Sequence, residues 1–203
     1  MSVITISGLN TLINPPKLSL PIDDEAENLQ LAMKQTCMKL PTEPLLIAHT
    51  KIDRWIMEIG FLYPEVFEWE PPQFLVDVQI NAQLNNTKDT WVQINTNAAF
   101  LNNGYVNLIE WSIRQPTLNW TDKVKLWVTT EYLSLSPDKL ELTILALHPT
   151  YPAKRHEISW DSQQHEETIK WLMSVLTAPA SPVPIPVAST AKLNLEKIAE
   201  VEI

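Results

Sequence analysis

The spacing of apolar residues predicts a strand near the middle of the chain. Apolar and polar side chains alternate across residues 74–84, with Asp77, Gln79 and Asn81 at polar positions. Successive side chains of a strand point to opposite faces, so this alternation predicts a strand with one buried face. The positions expected to share that face are Phe74, Val76, Val78, Ile80 and Ala82.

A hairpin is predicted directly after this strand. Residues 91–100 and 105–112 are strand-like runs, and Asn102, Asn103 and Gly104 lie between them. Asn and Gly tolerate the positive φ angles that a tight hairpin turn requires. The middle of the chain is therefore expected to contain three consecutive antiparallel strands.

Helices are predicted on both sides of these strands. Apolar residues recur at helical spacing in residues 23–39, 50–61 and 120–133. A strand over 139–147, an edge strand over 154–160 and a last helix capped by Asp161 or Ser162 follow. This order is typical of a mixed sheet packed on helices. We therefore predict an α/β (α+β) fold with a mixed central sheet.

The chain divides into three parts by composition. Residues 1–22 read as an extended arm or short strand, and residues 23–177 as one domain. Residues 178–203 begin with a proline-rich linker and end in a segment with regularly recurring apolar residues. A free tail is more often polar throughout, so we expect the terminal segment to dock on its own domain or on a neighbouring chain. A disordered end is the alternative.

Composition excludes several classes of function. The 203 residues carry a net charge of −9, which argues against strong nonspecific binding of nucleic acid. The three glycines are too few and too far apart for a P-loop or a dinucleotide-binding fingerprint. The single cysteine, Cys37, cannot form an intramolecular disulfide and is expected to be a small buried side chain. No apolar stretch is long enough to span a membrane, so we expect a soluble cytoplasmic protein.

Polar residues at the predicted hairpin resemble a known catalytic motif. Asn97 lies before the turn, and Glu110 and Ser112 lie after it. The layout resembles the PD-(D/E)XK nuclease superfamily, and its RecB-like branch in particular. That resemblance implies an αβββαβ restriction-endonuclease-like core. It also implies that Asn97 stands at the position of an Asp, that Glu110 keeps the second carboxylate, and that Ser112 replaces a Lys.

The resemblance extends to three further positions. It places Gln30 at the position of a His on the first helix. It places Thr121 and Lys125 at the Gln and Tyr positions of the helix after the hairpin, and a shift of two residues would bring in Trp127 instead. All of these positions except Glu110 therefore depart from the residues that the nuclease family uses.

The departures predict a loss of nuclease chemistry. A Mg²⁺ site requires charged oxygen ligands, and Asn97 offers a neutral one. Ser112 cannot supply the positive charge of a Lys beside a phosphate. We therefore expect no catalytic residues, no cofactor and no metal, with Glu110 as the ligand if a metal binds at all. Arg114 shares a strand face with Glu110 by the period of two and is expected to pair with it.

The expected function is that of a catalytically inactive nuclease-like domain that acts as a structural or protein-interaction module. A protein partner or a homo-oligomer is then expected, with nucleic-acid binding weak or absent and no membrane association. One alternative is an Mg²⁺-dependent DNA nuclease with displaced catalytic groups, in which Lys123 or Lys125 takes the place of the missing Lys. A second carboxylate near Glu110, such as Asp77 or Glu70, would favour it. The other alternative is a nucleic-acid-binding module.

Overall fold

The computed structural model describes residues 2–14, 24–68, 73–84, 90–115 and 117–177. Within these ranges the chain forms a central sheet with helices on both faces. The strands are β1 (Ser2–Thr5), β2 (Phe74–Gln83), β3 (Thr90–Asn102), β4 (Tyr105–Ile113), β5 (Leu140–Leu147) and β6 (Lys154–Ser159). The helices are α1 (Ile6–Ile13), α2 (Asp24–Cys37), α3 (Glu43–Ala48), α4 (Thr50–Leu62), α5 (Glu65–Glu68), α6 (Trp120–Leu133) and α7 (Ser162–Thr177).

The element order confirms the predicted fold class. Helices α2 to α5 precede the meander of β2, β3 and β4, and α6 then crosses over to β5. Strands β4 and β5 are parallel, whereas β2–β3, β3–β4 and β5–β6 are antiparallel, so the sheet is mixed. The result is a mixed α+β architecture with an αβββαβ core.

Local sequence signals account for most of the element ends. The hairpin turns at Asn103 and Gly104, whose φ angles are 48° and 82°, as a two-residue turn with positive φ at both positions requires. Helix α6 begins with a capping box between Asn119 and Asp122. At the start of α7, the Asp161 carboxylate accepts a hydrogen bond from the backbone N–H of Gln164 at 2.7 Å, which confirms the predicted cap.

Three short helices were not predicted. The β-branched run at the start of the chain forms β1 (Ser2–Thr5), as predicted, but helix α1 follows it directly and begins where Thr5 Oγ1 accepts a hydrogen bond from the N–H of Gly8. Helix α3 was missed because Pro44 suggests a helix end. Pro44 instead lies in the first turn of α3, where its missing N–H is not needed by the helix.

Residues 178–203, for which docking was predicted, lie outside the described residues.

Each face of the sheet is covered by its own set of helices. Helices α1, α6 and α7 pack on one face through Leu9, Trp127 and Leu172. Helices α2 and α4 pack on the other face through Leu29 and Trp55. None of the helices in the described ranges is long and apolar enough to cross a membrane. We refer to the two sides as the α6 face and the α2 face.

The prediction that one face of β2 is apolar along its whole length is wrong. Phe74 and Val76 pack on the α2 face, whereas Val78, Ile80 and Ala82 pack on the α6 face. The change occurs at Asp77, whose φ of 56° is in the left-handed region. A residue in that region reverses the direction of the following side chains while the pairing with β3 continues on both sides of it.

Strand β3 forms a fork in the sheet. Strand β2 pairs with one edge of β3, from Trp91 to Phe100. On the other edge, β4 pairs with residues Ala98 to Asn102 and β1 pairs with residues Thr90 to Gln93. The described ladder between β3 and β4 therefore ends at Ala98 and Ile109, and Glu110 is the first residue of β4 beyond it. Residues from β3, β4, β1 and α6 can meet in this opening.

Candidate functional site

Glu110 is the central ionisable group of the fork. Its side chain is buried, with 6% of the residue exposed. Lys125 Nζ, from α6, donates a hydrogen bond to Glu110 Oε1 at 2.6 Å, and Thr96 Oγ1, from β3, donates to the same oxygen at 2.7 Å. Burial of a carboxylate is costly unless an opposite charge and hydrogen bonds compensate for it, and these two residues supply both.

The predicted pair between Arg114 and Glu110 is wrong. Arg114 Nη1 instead donates to Asp122 Oδ2 at 2.9 Å, and Asp122 is 2% exposed. The same carboxylate accepts from the backbone N–H of Asn119. Asp122 therefore caps α6 and pairs with Arg114, while Lys125, three residues further along α6, pairs with Glu110.

Asn97 belongs to a different network on the α2 face. Its Nδ2 donates to Gln30 Oε1 at 2.6 Å, and its Oδ1 accepts from the backbone N–H of Trp111 at 2.9 Å. Gln30 Oε1 also accepts from Trp111 Nε1 at 2.9 Å, and Gln30 Nε2 donates to the Trp111 carbonyl at 3.3 Å. The indole N–H can only donate, so it fixes the orientation of both amides.

The six predicted motif positions therefore do not come together in one site. The structure brings Gln30 to Asn97 and Lys125 to Glu110, on opposite faces of the sheet. The hydroxyl of Ser112 is buried and has no hydrogen-bond partner within the described residues. Thr121 donates to the Asn119 side chain at the start of α6 and takes no part in either network. Trp127 is a fully buried core residue.

Two residues of these networks were missed from the sequence. Thr96 contacts Glu110, and Trp111 holds both amides in place. Thr96 adjoins Asn97 in the chain and lies in a polar stretch of β3. It is nevertheless only 2% exposed, and this burial distinguishes it from its polar neighbours. A buried hydroxyl in a strand requires a partner, but the sequence does not indicate which one.

The two carboxylates considered as companions of Glu110 have different positions. Asp77 forms an ion pair with Lys34 of α2, so it belongs to the α2 face. Glu70 lies outside the described residues. Within the described ranges, the structure contains no group of three or more His, Cys, Asp or Glu side chains that could hold a metal ion.

A polar groove adjoins the Glu110–Lys125 pair. It has a volume of about 370 Å³ and is lined by Thr5, Ile6, Ser7, Gln79, Gln93, Asn95 and Lys125. The amides come from β2 and β3, and the hydroxyls come from the junction of β1 and α1. Lys125 is the one charged residue of this lining within the described ranges. The groove therefore offers neutral hydrogen-bonding groups and one cation that is already paired with a carboxylate.

Comparison with known proteins does not assign the chain to a family. No family model matches it, and no curated protein matches it. Similar solved structures include SSO0001, with 14% identity over 89% of this chain and 78% of that chain and a TM-score of 0.42. They also include a protein from Eubacterium rectale described provisionally as an exonuclease, with 10% identity over 83% of this chain and 71% of that chain and a TM-score of 0.48. Likenesses at this level do not identify what the chain does, which rests on its own residues.

Proposed function

We propose that this chain is a catalytically inactive nuclease-like domain, of the RecB-like branch of the PD-(D/E)XK superfamily, and that it serves as a structural or protein-interaction module. One observation carries the proposal. Four of the six motif positions have polar groups that are engaged within the protein, Asn97 with Gln30 and Trp111, and Glu110 with Lys125 and Thr96. Groups that satisfy each other in this way are not poised to hold a metal or a water molecule.

The electrostatics of the fork support the same conclusion. A divalent ion at Glu110 would lie close to the Lys125 ammonium group, which is 2.6 Å from the carboxylate oxygen. Like charges at that range repel strongly where water is excluded. A metal would therefore have to displace Lys125 and leave that cation without its partner. A Mg²⁺ site usually has a second carboxylate to compensate for such a cost, whereas the β3 side chain that contacts Glu110 is the neutral Thr96.

Exposed apolar side chains support a role in protein interaction. Phe61 and Met57 lie one turn apart on α4 and are 89% and 61% exposed, and Ile47 on the neighbouring α3 is 73% exposed. Large apolar side chains exposed on one helix face are typical of surfaces that contact another protein. A second copy of this chain and a different protein are both compatible with this surface.

The cleavage assay tests the inactive state. Purified protein is incubated with single-stranded and double-stranded DNA in the presence of Mg²⁺ or Mn²⁺, beside Glu110→Ala and the surface control Glu166→Ala. We expect no cleavage by any of the three proteins. Metal-dependent cleavage that is lost in Glu110→Ala and kept in Glu166→Ala would overturn the proposal.

The same experiment addresses an active nuclease with displaced groups. That alternative is favoured by the contact between Lys125 and Glu110, which sets a lysine from α6 beside the retained carboxylate. If it holds, Lys125→Ala should abolish cleavage as completely as Glu110→Ala, because both groups would act in one step. Lys123→Ala, on the same helix, is the matched control and should remain active.

Binding measurements separate the remaining alternative, a nucleic-acid-binding module. With a net charge of −9, we expect binding to DNA to be weak at physiological salt. A submicromolar dissociation constant at about 150 mM salt, where nonspecific binders are already weak, would favour that alternative. For the interaction role, sedimentation analysis should show self-association or a captured partner that Phe61→Ser abolishes without loss of folding.

A further inference from the structure

A second cavity opens at the carboxyl ends of the parallel strands β4 and β5. Its volume is about 270 Å³, and its wall includes Arg114, Gln115, His148, Tyr151 and Lys154. Among the residues that the structure describes, the lining contains two cationic residues and no Asp or Glu. It shares no lining residue with the groove at Lys125. The protein is acidic overall, so a wall with this charge composition requires an explanation.

The sheet register sets the cationic residues around a small side chain. Ser112 pairs with Ala146 in the β4–β5 ladder, and Ala146 pairs with Lys154 in the β5–β6 ladder. Residues paired directly across strands point to the same face. Arg114 follows Ser112 by two positions, and its ion pair with Asp122 of α6 places it on that face too. Ala146 in the middle of this row leaves space between Arg114 and Lys154.

Several donors in this region have no acceptor. Arg114 uses Nη1 for Asp122, but its Nε and Nη2 are buried and lack a hydrogen-bond partner among the described residues, as does Ser112 Oγ. Lys154 forms no ion pair within the described part of the chain. Buried guanidinium donors are costly without an acceptor, and an anion in this cavity would supply one through charge-assisted hydrogen bonds.

The loop that forms the rim is held firmly in place. The carbonyl of His148 accepts hydrogen bonds from Arg54 Nη2 at 2.7 Å and from Trp55 Nε1 at 3.0 Å. His148 Nδ1 accepts from the backbone N–H groups of Thr150 and Tyr151, both at 3.1 Å. In the neutral ring the proton is therefore on Nε2, so His148 contributes a donor and not an acceptor. A rim fixed in this way limits the entropy cost of binding.

We propose that this cavity binds a phosphate oxyanion, either inorganic phosphate or the phosphoryl group of a small monoester. The planar guanidinium of Arg114 can match two phosphate oxygens through Nε and Nη2, the two donors that its contact with Asp122 leaves unused. Lys154, on β6, supplies the second positive charge. The volume suits a phosphoryl group with a small substituent, since it lies just below the usual range of ligand pockets, about 300–1,000 Å³.

Calorimetric titration of the full chain tests the proposal. Inorganic phosphate, glycerol 3-phosphate and a short single-stranded oligonucleotide are titrated separately in chloride buffer at constant ionic strength. We expect saturable binding of at least one of the two small phosphates. Lys154→Gln should weaken it about tenfold or more, the scale of one lost hydrogen bond to a charged group. Arg114→Lys keeps the charge and should also weaken binding, because it removes the paired donors.

Lys170→Gln is the matched control. It makes the same change of charge at a remote position on α7, where the side chain is 76% exposed, and phosphate binding should be unchanged. Thermal unfolding in chloride verifies that each variant is folded. Three results would overturn the proposal: no saturable binding of either small phosphate, equal weakening by Lys154→Gln and Lys170→Gln, or binding of the oligonucleotide alone.

Discussion

Removing Lys125 should destabilise the protein far more than removing an exposed lysine. Lys125 and Glu110 are 2.6 Å apart, and their side chains are 15% and 8% exposed. In Lys125→Met the carboxylate of Glu110 stays buried with Thr96 as its remaining donor. Breaking one side of a buried ion pair typically costs about 3–5 kcal/mol. That is a large part of the roughly 5–15 kcal/mol by which a domain is stable.

Urea denaturation at neutral pH measures the effect. The free energy of unfolding is compared for the wild type, Lys125→Met, Glu110→Gln and the double variant. The double variant leaves neither charge buried, so it should recover much of the loss. Lys170→Met is the control, because Lys170 and Glu166 are 3.7 Å apart and 76% and 69% exposed. Its cost should stay below about 0.5 kcal/mol.

The reasoning fails on either of two results. If Lys125→Met costs no more than Lys170→Met, the ion pair does not stabilise the fork. If the cost of the double variant equals the sum of the two single variants, Lys125 and Glu110 are not coupled. In both cases Glu110 would be free to hold a metal, and the proposal of an inactive site would lose its main support.

Two other predictions concern the α2 face. Asn97→Asp should lower the free energy of unfolding by about 1–3 kcal/mol, as measured by urea denaturation. The reason is that a carboxylate cannot donate to Gln30 Oε1, so that one acceptor would face another. Asn95→Asp is the control and should have little effect, because Asn95 is exposed on the same strand. Burial raises the pKa of the Cys37 thiol from 9.0 to about 12. The thiol of the unfolded chain ionises first, so the contribution of Cys37 to stability should be constant below pH 9 and fall between pH 9 and 12. Cys37→Ala should reduce the loss of stability in that range in a pH series of melting temperatures.

The fold could be predicted because its signals are local. Alternation across β2, the Asn-Gly turn of the hairpin and the apolar stripe of α4 each depend on residues close in sequence. Helix α3 shows the limit of such signals. A proline such as Pro44 breaks a helix when it lies in the interior and is well tolerated when it lies in the first turn. Which of the two applies depends on the packing of residues 43–48 on α4, which the local sequence does not show.

The residues of the site could be predicted only in part. Gln30 and Asn97 were each placed at a motif position without a predicted contact, and the structure brings them together. Lys125 was considered as a substitute for the missing Lys. Arg114 was assigned to Glu110 because the period of two places both on one face. The structure assigns Arg114 to Asp122 because the start of α6 lies over the end of β4. Periodicity predicts the face of a side chain but not the helix that covers it.

The position of Thr96 shows why spacing alone does not identify the β3 residue that contacts Glu110. In β3, Val92 and Ile94 pack on the α6 face, whereas Ala98 and Phe100 pack on the α2 face. The strand therefore changes faces between Ile94 and Ala98, beside Asp77 of β2 with its positive φ. A shift of one residue in a strand moves a side chain to the other face. Thr96 thus faces Glu110, while Asn97 faces α2.

The change of face within β3 determines at which position an added carboxylate would lie beside Glu110. Asp at position 97 would add its carboxylate to the amide network around Trp111, on the face away from Glu110. Asp at position 96 would stand beside Glu110, where Thr96 Oγ1 lies 2.7 Å from the carboxylate oxygen. Lys125 would then lie near two carboxylates in place of one. Two acidic groups with one lysine can attract a divalent ion, whereas the present pair is neutral. Position 96 is therefore the position in β3 at which an acidic side chain would add a second carboxylate beside Glu110.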